Sequence, residues 1–295
     1  MLKLFSQQIG IFNFFWRGIK IKVLKKIKNK IVYRVLTKND YNINNWDPSA
    51  TEVYMTKCFT DWGNEYLFLN SIIGRNNIHF LDVGCHSGYY PTLFKNYFEK
   101  IIGFEPSKKC IDILKDLNNN NFTYYQYFVG NKNINVTAKD SETGYSFYDQ
   151  DSHHKLTKTL NLKQITLDGF CSEKKINNIT AIKIDIDGND LQVLEGAKEI
   201  IKRNRPSIMI ENYSEELFNY FKNLNYSLLS IVSTKTKPYN LFLEELPNYN
   251  KDKWIKMVCC IPREFKKNYE NTLFKGNLFT GINKKKIIEY FNIDS

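Results

Sequence analysis

From about residue 78 onward, short continuous apolar runs alternate with segments whose apolar residues recur every three or four positions. Ile78–Val83 predicts a first strand, followed by a glycine turn and a helix from about Tyr90 to Phe98. Ile101–Phe104 predicts a second strand, then a helix over Lys108–Leu117, a polar loop at Asn118–Asn121 and a third strand at Thr123–Phe128. Thr180–Ile184 is a fourth, followed by a helix with Leu191, Leu194, Ala197 and Ile201 on one face. After the break at Arg205-Pro206 come a strand at Ser207–Ile210 and a helix at Glu215–Leu224, then strands at Ser227–Val232 and Trp254–Ile261. Continuous apolar strands separated by helices specify a parallel sheet covered on both faces. Its crossovers are right-handed, which makes this a doubly wound α/β sheet. Ligands of such sheets bind beyond the carboxyl ends of the strands, so the residues just after each strand carry the functional information.

Upstream the pattern differs. Ile9, Phe12, Trp16, Ile19, Val23, Ile27 and Ile31 are spaced by threes and fours, predicting an amphipathic helix over residues 1–38 with lysines beside its apolar stripe. Residues 51–72 also read as helical, ending near Gly74. The organisation expected is a basic helical arm at 1–50, a helical lead-in at 51–77, the α/β domain at 78–262 and a tail at 263–295, with Lys284–Lys286 exposed. No internal repeat is present.

Charge sharpens this division. The 295 residues hold 42 Lys+Arg against 31 Asp+Glu, a net charge of +11. Ten of the bases (Lys3, Arg17, Lys20, Lys22, Lys25, Lys26, Lys28, Lys30, Arg34 and Lys38) precede the first acid, Asp40. The remainder holds 32 bases against 31 acids, so residues 39–295 carry only +1. With 25% charged and 15% aromatic residues, the chain has the composition of a folded protein. No run approaches the ~20 apolar residues of a membrane-spanning helix. The run Ile9–Trp16 is broken by Gly10 and Asn13 and leads to no cleavage site, so no secretory signal is expected. Cysteines 58, 85, 110, 171, 259 and 260 form no CxxC pair and read as free thiols of a cytoplasmic protein. His79, His86, His153 and His154 lack zinc-ligand spacing.

Three strand ends carry candidate chemistry. After the first strand, Asp82-Val-Gly84-Cys85-His86-Ser87-Gly88 forms a turn whose glycines can pass close under a ligand, ahead of a helix N-terminus. An ordinary tight strand–helix turn would look the same. The dinucleotide pattern GxGxxG is absent, which counts against NAD. After the second strand stands Glu105, 21 residues beyond Gly84, the distance at which an acid reaches the ribose hydroxyls of a bound nucleoside. After the fourth strand come Lys183, Asp185, Asp187, Gly188 and Asp190, with Glu211 ending the fifth. An EF-hand is excluded, because its glycine is sixth and Gly188 is fourth from Asp185. Asp187 and Asp190 equally suit the N-terminus of the following helix.

The ordered set FLDVGCHSGYY (80–90), GFEPS (103–107), ITLDGF (165–170), IKIDIDGNDLQVLEGA (182–197), RPSIMIE (205–211) and VCCIP (258–262) resembles the FkbM family of S-adenosylmethionine-dependent methyltransferases. The resemblance covers about residue 78 to Pro262. It implies a Rossmann-like class I methyltransferase fold of seven strands, the last antiparallel and beside the sixth. It also implies that Asp82, Gly84 and Gly88 line the methionine end of the cofactor, that Glu105 holds the ribose, and that Phe128 and Val129 border the adenine; His86, in the same turn, can pack against the methionine end. The chain departs from the family in having Asp187, and Asp190, where Glu is usual. The implied reaction is methyl transfer to a hydroxyl, commonly of a sugar or other hydroxylated product.

An alcohol nucleophile needs a base within reach as its new bond forms. Asp185 is the first candidate and Asp187 or Glu211 the second. His86 has a suitable unperturbed pKa but sits in the cofactor turn. Lys183 either neutralises these acids or contacts substrate. Clustered acids could instead bind Mg²⁺ and activate a diol. His153-His154 lies in the variable stretch 131–164, read as a solvated loop able to cover the acceptor site. The acceptor expected is a glycan or glycolipid precursor, since the cationic arm suits peripheral docking on an anionic membrane; a helix packed on the domain with solvated lysines is the alternative. Two other functions remain open. One is a nucleic-acid methyltransferase using the arm's bases and its aromatics Phe12, Phe14, Phe15 and Trp16, which the near-neutral body disfavours. The other is a non-catalytic cofactor-binding scaffold.

Overall fold

The computed structural model describes residues 11–27, 30–34, 40–44, 61, 63–72, 74–76, 78–117, 119–141, 146–147, 156–186, 188–211, 213–234, 242–248 and 252–265. Asp187, Cys58, His153, His154 and the tail beyond Phe265 lie outside these residues. In chain order the strands are β1 (Lys30–Arg34), β2 (Asp40–Asn44), β3 (His79–Val83), β4 (Lys100–Phe104), β5 (Phe122–Tyr125), β6 (Phe128–Val129), β7 (Ile134–Ser141) and β8 (Ser146–Phe147). They continue with β9 (Leu156–Ile165), β10 (Ile179–Ile184), β11 (Ser207–Ile210), β12 (Tyr226–Thr234), β13 (Phe242–Glu245), β14 (Lys253–Ile255) and β15 (Val258–Pro262). The chain forms two compact units, residues 74–208 and residues 1–73 with 209–295.

In the unit 74–208, four parallel strands lie in the order β10-β3-β4-β5. The chain runs outward from β3 through β4 to β5 and then returns to the other side of β3, so the strand order reverses between β3 and β10. A crevice opens at such a reversal beyond the carboxyl ends, and this fixes where a ligand of the sheet would lie. β3 and β10 are buried almost throughout, which explains why they read as unbroken apolar runs. Phe80 of β3 stacks on Phe98 at 5.0 Å between centroids and meets Phe94 edge-on at 5.6 Å. The helix after β3 is short, Tyr89–Leu93, and the one after β4 spans Lys108–Leu114. The polar loop, described at 119–121, is anchored to the preceding helical segment: Asn121 donates to the carbonyls of Lys95 and Phe98, and Asn119 to that of Pro91.

Between β5 and β10 the structure departs from the expected solvated loop. β6, β9, β7 and β8 form a separate four-stranded sheet in that order, with β7 and β9 antiparallel over eight residue pairs. The expected third strand, Thr123–Phe128, is divided between β5 and this sheet, because β6 pairs with β9. The helix expected to carry Leu191 through Ile201 is also divided, into Asp190–Glu195 and Lys198–Asn204. Gly196 lies at the break, where a Cβ would sit 2.0 Å from the Gly130 carbonyl oxygen. The ITLDGF segment explains itself here. Thr166 caps its own helix, Leu167–Glu173, by accepting from Gly169 N–H at 3.1 Å. Asp168 accepts from Glu199 and Ile200 N–H at 3.0 and 2.9 Å, closing the N-terminus of the next helix.

In the other unit, β15 runs antiparallel to β12, pairing Tyr226 with Pro262 and Leu229 with Cys259. The antiparallel last strand beside the sixth, a mark of the Rossmann-like class I arrangement, is thus present. β13 and β14 are additions, both antiparallel to β12; the single strand expected over Trp254–Ile261 is therefore two. Helix Glu215–Asn223 is capped by Ser214, which accepts from Leu217 N–H, and buries Leu217, Phe218 and Phe221. Asn64, fully buried in helix Asn64–Asn70, accepts from Ile231 N–H at 2.9 Å. The N-terminal helix spans Ile11–Ile27, not the whole of 1–38. Ile31, the last residue of its predicted stripe, lies in β1, which pairs with β2 as a hairpin. β1 carries Ile31, Val32 and Tyr33 in succession, two β-branched residues and an aromatic one, which are types that favour the extended chain over the helix. Among the described residues no helix is long and apolar enough to cross a membrane.

Candidate functional site

Parallel register places Asp82 of β3 opposite Lys183 of β10, and Gly103 of β4 on the other side of Asp82. Partners in register point to the same face, so the acid and the lysine meet. Asp82 is fully buried, and neither of its carboxylate oxygens has a hydrogen-bond partner among the described residues. Lys183 Nζ stands 3.6 Å from Asp82 Oδ1, 3.0 Å from Asp185 Oδ2 and 5.2 Å from the centre of the Tyr90 ring, and it donates to the Gly84 carbonyl at 2.8 Å. Burial raises the Asp82 pKa to about 6; the lysine opposes the shift and Asp185 adds to it. Lys183 thereby ties the ends of β3 and β10 together.

Above this pair the turn climbs through three left-handed residues, Gly84 (φ 77), His86 (φ 46) and Gly88 (φ 86). The first glycine has a second requirement: a Cβ there would lie 2.0 Å from the Asp185 carbonyl oxygen. At Gly88 a Cβ would collide with Leu117 at 2.2 Å. In both cases the space a side chain would need is filled by protein, so packing alone accounts for these glycines. Gly84 and Cys85 N–H both donate to the Phe104 carbonyl, fastening the turn to the end of β4. Cys85 is buried and its thiol pKa is pushed well up by burial, away from any nucleophilic role.

Glu105 follows β4 and is buried. Its Oε2 accepts from His86 N–H at 3.0 Å and its Oε1 from Ser107 N–H at 2.8 Å. These contacts put the acid of the second strand directly against the turn of the first. Burial pushes the Glu105 pKa up to about 7, against the two backbone donors that favour its charge. A carboxylate offers about four acceptor sites, so two remain for further donors.

The remaining candidates fall in different places. Asp185 joins the cluster through Lys183 while keeping 38% of its side chain exposed. Asp190 begins helix Asp190–Glu195 and is buried. Phe128 and Val129 are buried in β6. Glu211 follows β11 in the other unit and is exposed. Among the described residues no three His, Cys, Asp or Glu side chains are grouped to hold a metal ion, so the Mg²⁺ option has no support. The sequence reading passed over Tyr90, whose ring faces Lys183, and the Ser107 amide. The only signal for the latter was its place two residues after Glu105, where a backbone N–H can turn back onto a carboxylate. An open cleft of about 570 Å³ beside Arg75, Tyr97 and Glu99 is not part of this site. It lies by the amino ends of β3 and β4, where Arg75 donates to the carbonyls of Thr180, Asn204 and Arg205.

Residues 82–228 match the profile of the Methyltransferase FkbM domain. No match was found among curated proteins. Among solved structures, the chain is similar to methyltransferase FkbM from Methylobacillus flagellatus KT, with 16% identity and a TM-score of 0.40 over 74% of this chain and 55% of that one. It is also similar to precorrin-6y C5,15-methyltransferase from Geobacter metallireducens GS-15 (10% identity, TM-score 0.39, 69% and 90% covered). A third is an rRNA methylase from Streptococcus thermophilus (14% identity, TM-score 0.35, 67% and 95% covered). The chain thus spans about half the length of the first of these. Residues 82–228, just under half of the chain, form an FkbM methyltransferase domain.

Proposed function

We propose that the protein is an S-adenosylmethionine-dependent methyltransferase that O-methylates a hydroxyl of a sugar, glycan or glycolipid precursor. The observation that carries the cofactor part is the carboxylate of Glu105, held by the amides of His86 and Ser107 beside the β3 turn. The residues present fit such a group: Glu105 keeps acceptor capacity for a ribose diol, and buried Asp82 keeps two carboxylate oxygens without hydrogen-bond partners among the described residues. When bound, S-adenosylmethionine supplies a methyl group activated by its sulfonium.

The chain's own part is to position and to move a proton. Glu105 would orient the nucleoside, while the Asp82–Lys183 pair would keep the turn and the β10 end in fixed relation. Asp185 would accept the proton that an acceptor hydroxyl loses as its oxygen forms the new bond to carbon. Its partial exposure leaves it accessible, and its second oxygen is the one facing Lys183. Asp187 is the reserve candidate for that proton. The hydroxylated acceptor class rests on the family.

The test is transfer of labelled methyl from S-adenosylmethionine to a panel of glycans and lipid-linked sugars, with Asp185→Asn alongside wild type. Label in a base-stable methyl ether, lost in the variant, is the expected result. Label only in nitrogen or carbon positions contradicts the O-methylation reading, and no transfer by protein that binds the cofactor supports the scaffold alternative.

A further inference from the structure

We propose that the outward face of helix Ile11–Ile27 docks on an anionic lipid bilayer and lies in the plane of its interface. Six large apolar side chains of this helix are exposed: Phe12 88%, Trp16 66%, Phe15 61%, Ile19 57%, Ile11 55% and Val23 49%. At about 100° per residue they fall within an arc of roughly 140°. Ile21, only 5% exposed, lies on the opposite side. The helix is therefore apolar on two faces. Ile21 is packed on one side, while Phe12, Trp16, Ile19 and Val23 of the stripe read from the sequence are left in solvent. Soluble proteins rarely leave so many large apolar side chains together in water unless the patch binds something.

Charge and length identify the occupant. Lys20 and Lys22 are exposed near the two edges of the apolar arc, where their long stems can follow the apolar surface while the ammonium groups reach headgroups. All ten charged residues before Asp40 are bases, five of them on this helix, and the rest of the chain carries only +1, so attraction to an anionic surface is concentrated in this N-terminal stretch. Seventeen residues containing Arg17, Lys20, Lys22, Lys25 and Lys26 do not span a bilayer, but they suit interfacial binding. A second copy of the chain fits less well. Joining two such faces would bring lysine edges together with no acid on either helix to offset them. Single-stranded nucleic acid would use the bases but would leave much of the apolar arc in water.

The experiment is co-sedimentation of the full-length protein with phosphatidylcholine vesicles, with and without phosphatidylglycerol, while following tryptophan emission. Binding to the mixed vesicles with a blue shift is expected, with little binding to pure phosphatidylcholine. Phe12→Ser/Trp16→Ser and, separately, Lys20→Glu/Lys22→Glu should each lower the affinity by about tenfold or more. The thermal transition of each variant monitors its fold. Absence of binding, equal binding to both vesicle types, or full binding by the Ser variant overturns the proposal. So does a lipid-free dimer by light scattering that Trp16→Ser abolishes, or binding to short single-stranded RNA at physiological salt in place of vesicles.

Discussion

Replacing Lys183 by Met tests the buried charge cluster that joins β3 to β10. Methionine has nearly the length of the lysine stem and leaves no large void, so the change removes the ammonium rather than the packing. Two interactions disappear. The donor to the Gly84 carbonyl, at 2.8 Å and charged, contributes ~1.5–3 kcal/mol. The counter-charge of Asp82, 3.6 Å away and fully buried, goes as well. With a pKa of about 6, Asp82 can escape by taking up a proton, which near neutral pH costs ~1.4 kcal/mol per pH unit above that value. The Asp185 pair adds little, because that acid is partly exposed. The expected loss is therefore ~3–4 kcal/mol near pH 7, about a unit above the Asp82 pKa. The sign of the pH effect is fixed. Asp82 is raised in the native state, so its contribution to stability is full below its unfolded value and is lost as pH rises through the folded one. Removing Lys183 raises it further, so the variant falls increasingly behind wild type between about pH 6 and 8, by ~1.4 kcal/mol per unit, and by only the carbonyl bond near pH 5. Urea unfolding followed by circular dichroism at three pH values measures this directly. Adding Asp82→Asn should flatten the slope. A loss below ~1 kcal/mol near pH 8, or one that does not change with pH, would refute the pairing.

Other outcomes follow from the same geometry. Glu105 has its pKa raised to about 7, so its contribution to stability of the cofactor-free protein is lost as pH rises from about 4.5 through 7; Glu105→Gln should remove that dependence, on the order of 3 kcal/mol, in unfolding titrations. Because hydroxyl donors need the ionised carboxylate, wild-type affinity for S-adenosylmethionine should rise with pH across the same region, as calorimetry would detect. Asp168→Ala leaves the amides of Glu199 and Ile200 without their acceptor and should cost ~1–3 kcal/mol in chemical denaturation. Gly196→Ala places a Cβ 2.0 Å from the Gly130 carbonyl oxygen and should lower the unfolding midpoint by more than Gly188→Ala, which has no neighbour within 4 Å, although the latter also strains a left-handed backbone.

The parallel strands were legible because burial on both faces makes them continuous apolar runs: β3, β4, β10 and β11 fall within a residue of their expected limits. Glu105 was legible because chain spacing and strand order place it beside the turn of β3. Its partner amides were not, since backbone donors leave no trace in side-chain pattern. The meeting of Asp82 with Lys183 depends on the register of strands about a hundred residues apart, which neither local segment encodes. Strands β7 and β9 were missed because INVTAKDS and LTKTLNLKQI are rich in polar residues and read as solvated chain. The break at Gly196 was hidden by a helical stripe that continues across it, and only the approach of the Gly130 carbonyl reveals it. At the N-terminus, the apolar stripe was correctly read over 11–27, but its period alone did not show where β-branched residues turn the chain extended.

The most direct measurement of the central claim is calorimetric titration of S-adenosylmethionine into wild type, Glu105→Gln and Glu105→Ala, with NAD as control. The account predicts saturable binding to wild type, no heat with NAD, and affinities reduced by ~1.5–3 kcal/mol in both variants, because each removes the charged acceptor of the ribose hydroxyls. Folded wild-type protein that binds no S-adenosylmethionine, or variants that bind it as tightly as wild type, would contradict it.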